Sequence, residues 1–132
     1  MVLNFNKLFF LIFILSSYLK ADLNYEVRDV ERVSGMFGDA ICVSIYITND
    51  TNQQYSFNLF TTNAKGDGLS SSPSLFTDKK PVFDPNQTLD PESKARGWLC
   101  FDEPEYGWVP EVIEFTEVWG SKFLTIRVNK DN

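Results

Sequence analysis

Histidine is absent from the 132 residues of this chain, and cysteine occurs only 2 times. Histidine is the commonest general base and the commonest metal ligand, so serine triads, Cys–His nucleophile pairs and histidine-containing zinc sites are excluded. Positive charge is also scarce, because 12 lysines and arginines face 18 aspartates and glutamates, for a net charge of −6. A nucleic-acid-binding protein needs a basic surface to displace counterions, so we expect no nucleic-acid partner.

A continuous apolar run of eight residues, 8–15, lies near the N-terminus. Lys7 precedes it, and small residues follow it as far as Ala21. This order of a cation, an apolar run and small residues is typical of a secretory signal. The run is much shorter than the ~20 residues that a membrane-spanning helix needs. We therefore predict that residues 1–21 are a cleaved signal peptide, that no stable membrane insertion remains, and that the protein is secreted or periplasmic.

The remaining residues, 22–132, are predicted to form one domain of short strands, since no long helical period follows the leader. In the clearest strand, Ile41, Val43 and Ile45 alternate onto one face. An antiparallel β-sandwich is the fold that this pattern favours, and a small closed barrel is the alternative. We predict strands over 25–33, 40–48, 53–62, 82–83, 95–102, 111–119 and 122–128, a loop over 63–74, and a type II′ turn at Gly120-Ser121.

Cys42 and Cys100 give an even cysteine count in a chain predicted to be exported, which favours a disulfide. Each cysteine alternates with the apolar residues of its own strand, so both are predicted to face away from the main core. A bridge between neighbouring strands on the outer face of a sheet is compatible with this placement. Two free thiols are compatible with it as well.

Asp102, Glu103 and Glu105 form the densest acidic cluster of the sequence. Ca²⁺ prefers six to eight oxygen ligands, so these carboxylates are candidate metal ligands. They give an alternative function, a small-ligand or Ca²⁺-binding protein of the cell envelope. The other interpretation is an acidic loop in water, which is the usual place for a run of like charges.

Tyr106 and Trp108 flank a glycine in a predicted loop. Exposed aromatic side chains offer a large contact area at low entropic cost, so both residues are candidates for binding a partner. Large aromatic side chains also contribute to burial, and Trp108 is equally compatible with closing one end of the sandwich.

Several segments after residue 41 carry a resemblance to a known family. They are an apolar strand that ends at Asn49, an Asp67-Gly68 loop, and Pro91-Glu92 followed by Gly-Trp-Leu-Cys-Phe-Asp-Glu-Pro over 97–104. In this order they resemble secreted bacterial immunoglobulin-like domains of unknown function, in the structural group of the mycobacterial immunoprotective extracellular protein. The resemblance implies an antiparallel immunoglobulin-like β-sandwich of about seven strands. That family has no settled catalytic residues, so the resemblance also implies an exported, non-enzymatic protein. The signal-like segment, the strand pattern and the lack of catalytic side-chain sets lead us to expect a protein without a cofactor that acts by binding an unknown protein.

Overall fold

The computed structural model describes residues 23–35, 38–74 and 78–128, and the predicted leader lies outside them. These residues form ten strands and one short 3₁₀ helix, Leu59–Thr61. The strands are β1 (Asn24–Gly35), β2 (Gly38–Thr48), β3 (Tyr55–Ser56), β4 (Thr62–Gly66), β5 (Leu69–Ser71), β6 (Pro73–Ser74), β7 (Thr88–Leu89), β8 (Lys94–Asp102), β9 (Val112–Thr116) and β10 (Lys122–Arg127).

Two four-stranded sheets enclose the core. The first sheet has the order β1-β2-β8-β6, the second has the order β10-β9-β4-β5, and the short β3 and β7 pair with each other. Every pair of these strands is antiparallel. The core combines alternate apolar residues of β2, such as Ile41 and Val43, with Ile113, Phe115 and Ile126 of the second sheet. The predicted antiparallel β-sandwich is therefore confirmed.

Aromatic rings fill one end of this core. The ring of Phe57 stands edge-on to Phe83, with centroids 5.5 Å apart, and edge-on to Phe115 at 5.1 Å. Edge-to-face pairs at this spacing are favourable beyond the area that they bury. Phe83 belongs to the predicted strand over 82–83, which is reduced to one parallel bridge between Val82 and Trp98.

Cys42 on β2 lies directly opposite Cys100 on β8, and the two residues form a disulfide with Cα atoms 4.0 Å apart. The bridge lies within the first sheet, on the face away from the core, as the alternation predicts. It is nevertheless fully buried, with 0% and 1% of the two residues exposed. Lys79 pairs with Glu31, and Glu31 lies opposite Cys42 in the register of β1 and β2. The Lys79 ammonium is also 4.7 Å from the ring centroid of Trp98, so Lys79 lies on the same outer face as the bridge.

The predicted strand over 53–62 is wrong for most of its length. The range contains only the two-residue strand Tyr55–Ser56 and the first residue of β4, Thr62, and the 3₁₀ helix at Leu59–Thr61 lies between them. Asn58 starts this helix, because its side-chain oxygen accepts a hydrogen bond from the Phe60 backbone N–H at 2.9 Å. A local side-chain cap of this kind overrides the alternation of apolar residues.

The predicted loop over 63–74 contains β4, β5 and β6 instead. β4 and β5 form a hairpin in which Gly66 pairs with Leu69. The two residues between them, Asp67 and Gly68, have φ of 53° and 77°. Two successive positive φ values are typical of a type I′ hairpin turn, and Asp-Gly is a sequence that favours it. The sequence did not indicate this hairpin because β5 contains serines and lacks an alternating apolar pattern.

Candidate functional site

The loop between β8 and β9, residues 103–111, holds Trp108 inside the protein. Only 3% of Trp108 is exposed, and its indole Nε1 donates a hydrogen bond to the carbonyl oxygen of Gly66 at 2.9 Å. A buried indole N–H is normally paired in this way. The prediction that Trp108 binds a partner is therefore corrected, because its ring packs in the core and its polar atom is satisfied. The alternative, in which it closes one end of the sandwich, is the one observed.

Gly66 at the end of β4 makes this arrangement possible. A Cβ atom at Gly66 would lie 2.6 Å from the carbonyl oxygen of Val109 and 3.2 Å from the backbone of Glu111. Real Cβ atoms do not approach backbone atoms so closely, so a glycine is needed for the loop to pack on β4. The loop is further fixed by a hydrogen bond of 2.7 Å from the Glu111 N–H to the Lys65 carbonyl oxygen.

Tyr106 lies at the tip of the same loop and is 91% exposed. Tyr106 and Gly107 are the central residues of a turn closed by a hydrogen bond of 3.0 Å from the Trp108 N–H to the Glu105 carbonyl oxygen. The ring is thus free to meet a partner. The structure separates the two predicted contact residues, with Tyr106 outside and Trp108 inside.

The three carboxylates of the acidic cluster have different surroundings. Glu103 pairs with Arg32, whereas Asp102 and Glu105 are exposed. Within residues 23–35, 38–74 and 78–128, no three Asp, Glu or Cys side chains converge to hold a metal ion. The structure therefore does not bring Asp102, Glu103 and Glu105 together, and their role as Ca²⁺ ligands stays a prediction.

The loop between β9 and β10, residues 117–121, lies at the opposite end of β9 and exposes its apolar residues. Trp119 is 98% exposed and Val118 is 50% exposed. The loop is closed by a hydrogen bond of 3.3 Å from the Gly120 N–H to the Glu117 carbonyl oxygen. Val118 and Trp119 are therefore the central residues of the turn, and the predicted type II′ turn at Gly120-Ser121 is wrong.

Phe60 lies at this same end of the sandwich and is 88% exposed. Thr62 of β4 pairs with Phe115 of β9, so the residues before Thr62 lie beside the residues that come after β9. The Thr61 hydroxyl confirms this placement, because it donates to the Thr116 carbonyl oxygen at 2.5 Å. We refer to Phe60, Val118 and Trp119 together as the Trp119 end.

Sequence reasoning missed the Trp119 end because it assigned both Phe60 and Trp119 to strands. Two signals favour the correct interpretation. Asn58 is a good cap two residues before Phe60, and Gly120 directly after Trp119 is typical of a turn. In each case a strong local turn signal competes with an apolar pattern that continues past the end of the strand.

Glu114 is the centre of the charge network on the outer face of the second sheet. Its carboxylate oxygens lie 2.9 Å from Lys65 Nζ and 2.9 Å from Lys122 Nζ. The hydrogen bonds from Lys65 and then from Lys122 lower the pKa of Glu114 below its ordinary value, against a smaller opposing effect of burial. A carboxylate held ionised between two ammonium groups stabilises a sheet and is unsuited to donate a proton.

The surface between β1 and β10 contains a shallow groove of about 360 Å³. It is lined by Leu23, Tyr25, Lys122, Phe123, Leu124 and Thr125. Lys122 already pairs with Glu114, and the lining offers no carboxylate or thiol. The groove therefore has the mixed polar and apolar lining of a gap between two sheet edges, and its lining residues do not form a convergent catalytic set.

The geometry defines the class to which the molecule belongs, an antiparallel β-sandwich with a disulfide inside one sheet and exposed aromatic residues at its ends. No family model and no curated protein matches the sequence. Among solved structures, the chain is similar to MPT63, a secreted protein from Mycobacterium tuberculosis, with a TM-score of 0.54. The similarity covers 80% of this chain and 82% of that chain at 14% identity, so it establishes the fold alone.

The structure of MPT63 confirms the resemblance seen in the sequence at the level of fold. The disulfide agrees with the predicted secreted or periplasmic location, because disulfides persist in oxidising compartments. No helix of the described residues has the length and apolar character needed to cross a bilayer.

Proposed function

We propose that this chain is an exported, non-enzymatic domain that binds another protein through the Trp119 end. The observation that carries the proposal is the exposure of two large aromatic residues at one end, 98% for Trp119 and 88% for Phe60. Solvent exposure of neighbouring large apolar side chains is unfavourable unless a partner covers them, and such clusters mark interaction surfaces. Tryptophan is also among the residues that contribute most to binding energy in protein interfaces.

The Trp119 end is held by the fold, which favours binding without large rearrangement. Phe60 belongs to a helix that is capped by Asn58 and joined to β9 by the Thr61 hydroxyl. Trp119 belongs to a tight turn closed between Glu117 and Gly120. Side chains on fixed supports lose little backbone freedom when they bind, so more of the contact energy is available for affinity.

Charge favours a protein over a lipid surface as the partner. The chain carries a net charge of −6, which repels anionic headgroups, and the exposed Glu117 adjoins the apolar residues of the turn. A partner protein with an apolar pocket and a polar rim avoids this repulsion. The absence of histidine and the ion-paired state of Glu114 support a role without catalysis.

Two features support export. The first is the signal-like pattern of residues 1–21, and the second is the buried disulfide between Cys42 and Cys100. Disulfides are rare in the reducing cytosol and common in secreted domains. Together they favour a partner in the cell envelope or outside the cell.

Site-specific photo-crosslinking tests the proposal. A photoreactive phenylalanine analogue replaces Trp119 in one variant, Tyr106 in a second and the exposed Ser70 of β5 in a third, which is the matched control. Each protein is illuminated in contact with envelope and culture fractions of the producing cell. We expect one discrete adduct from position 119 and none from position 70. Equal yields from all three positions would contradict the assignment of the site, and an adduct from position 106 alone would transfer it to the Tyr106 loop.

Thermal unfolding with and without millimolar Ca²⁺ tests the alternative function. Because Glu103 is paired with Arg32 and the exposed Asp102 and Glu105 do not form a metal-binding group with it, we expect no change in the melting temperature. A ligand that binds only the folded state raises the melting temperature. A clear rise with Ca²⁺ would therefore restore the Ca²⁺-binding interpretation.

A further inference from the structure

The outer face of the first sheet carries a cationic surface built around an aromatic ring, named the Tyr46 face. It consists of Arg28 of β1, Tyr46 of β2, and Lys94 and Arg96 of β8. Tyr46 lies directly opposite Arg96 in the register of β2 and β8, and Lys94 lies one row further along the same face. The surface is independent of the Trp119 end, which belongs to the second sheet and its loops.

The ring of Tyr46 restrains the cations beside it. The guanidinium carbon of Arg28 lies 4.3 Å from the ring centroid, and the Lys94 ammonium lies 5.9 Å from it. Cations over a tyrosine face are attracted by the ring quadrupole. Long cationic side chains that are already restrained lose less entropy on binding than freely rotating ones.

The positive charge of the Tyr46 face is only partly neutralised. Arg28 has an intramolecular partner, Glu26, at 3.1 Å. No carboxylate of the described residues lies within ion-pair distance of Lys94 or Arg96, although the chain has a net charge of −6. Elsewhere Lys65 and Lys122 share one glutamate, whereas Lys80 and Arg127 have no ion pair within the described residues. The Tyr46 face differs because two unpaired cations, Lys94 and Arg96, lie on one face of the same strand beside Tyr46.

We propose that the Tyr46 face binds a short acidic segment of a partner polypeptide. Carboxylates of that segment would pair with Arg96 and Lys94 while its chain lies across the Tyr46 ring. The partner segment is expected to be negatively charged, since this face is positive in an otherwise acidic molecule. The segment is also expected to be short, because a long polyanion such as a nucleic acid would extend onto the acidic surface of the protein and be repelled.

Fluorescence anisotropy with a labelled oligoglutamate peptide at low ionic strength tests this proposal on the full chain. We expect measurable binding that weakens as salt is added. Arg96→Ala is expected to weaken binding about fivefold, the effect of losing one exposed ion pair. Arg127→Ala is the matched control, because it removes an exposed cation from β10 and changes the net charge equally. It is expected to leave the affinity within about twofold.

Four outcomes would overturn the proposal. Two concern the peptide, namely the absence of binding at low salt and an equal loss of affinity in Arg96→Ala and Arg127→Ala. The third is equally tight binding of a single-stranded oligonucleotide of the same charge, and the fourth is a concentration-dependent dimer that Arg96→Ala abolishes. The last result would assign the face to a second copy of the chain. Crosslinking at position 119 is unaffected by these results, so the two proposals fail separately.

Discussion

Two tryptophans at opposite ends of β9 differ in solvent exposure although their local sequences are similar. Trp108 lies between Gly107 and Val109, and Trp119 lies between Val118 and Gly120. Both belong to turns, yet Trp108 is 3% exposed and Trp119 is 98% exposed. The difference comes from what faces each turn across the fold. Trp108 donates a hydrogen bond to the Gly66 carbonyl oxygen and packs in the core, whereas no described residue covers Trp119. Tertiary contacts, and not the local sequence, therefore decide which ring is buried.

The largest effect is expected from Trp108→Ala. Loss of a buried tryptophan side chain leaves a cavity and costs about 3–5 kcal/mol of unfolding free energy. Denaturant unfolding followed by circular dichroism measures it. Trp108→Phe is the companion variant, since it keeps an aromatic ring, removes the hydrogen bond to Gly66 and leaves a smaller gap than Trp108→Ala. It should cost about 1–3 kcal/mol, as expected for a buried carbonyl group left without its partner. If the unfolding free energy fell by less than the stated range in both variants, the burial of this ring would be contradicted.

Gly66→Ala is expected to have the next largest effect on stability, because it changes the β4 residue on which the loop with Trp108 packs. The new Cβ would lie 2.6 Å from the Val109 carbonyl oxygen, so the loop must move off β4. Overpacking of this kind typically costs about 1–3 kcal/mol. Gly68→Ala serves as a comparison, because a Cβ there meets nothing within 4 Å and only the positive φ of 77° opposes it. Increased quenching of Trp108 fluorescence should accompany the loss of stability in Gly66→Ala alone.

A smaller effect is expected from Glu114→Gln, which alters β9 midway between the two loops. The pKa of Glu114 is lowered in the folded protein by hydrogen bonds from Lys65 and Lys122. A lowered pKa contributes stability above the ordinary value of the group, and that contribution is lost as the pH falls through the lowered value. The contribution of partly exposed ion pairs is below about 1 kcal/mol.

Unfolding curves for the wild type and Glu114→Gln should therefore differ at neutral pH and converge in acid, below the lowered pKa. Glu117→Gln, an exposed change on the neighbouring turn, is the control for the loss of one charge. A difference between wild type and Glu114→Gln that stays constant with pH would contradict the assigned role of the two lysines.

The smallest effect on stability is expected from Trp119→Ala. An exposed side chain without partners changes the unfolding free energy by less than about 0.5 kcal/mol. Iodide should quench the fluorescence of Trp119 strongly and leave Trp108 almost unaffected, because a charged quencher reaches only the exposed ring. If Trp119→Ala lost as much stability as Trp108→Ala, Trp119 would pack in the core, and the contrast between a buried and an exposed tryptophan would be wrong.

The central strands of the first sheet were predictable because their alternation is regular and agrees with their burial. Ile41, Val43 and Ile45 are buried as predicted, and β8 lies within one residue of its predicted bounds. The facing of Cys42 and Cys100 is a consequence of the same alternation, and their register makes the bridge possible. Sequence alone did not show that the bridge is buried, because its burial depends on residues that are distant in sequence, such as Glu31 and Ser74 on either side of it in the sheet.

The candidate site was less predictable because it depends on residues that are far apart in sequence. Phe60 and Trp119 lie at the same end of the sandwich only through the pairing of Thr62 with Phe115. Asn49 shows the same limit, since it ends β2 as predicted but is fully buried and donates to the carbonyl oxygens of Gln53 and Leu89. Local chemistry indicates where a strand ends, whereas only the assembled fold decides which side chains meet there.

The disulfide joins residues 58 positions apart within the first sheet, so the ring of chain that it closes ends at Cys100. The β9–β10 hairpin lies outside that ring, and only noncovalent contacts hold it to its neighbours. Like β1 at the other end of the chain, this hairpin is therefore held in the sandwich by its backbone pairing and packing, with no crosslink of its own. Because it carries Trp119, a force that a bound partner applies to this residue acts on strand pairing and not on the disulfide.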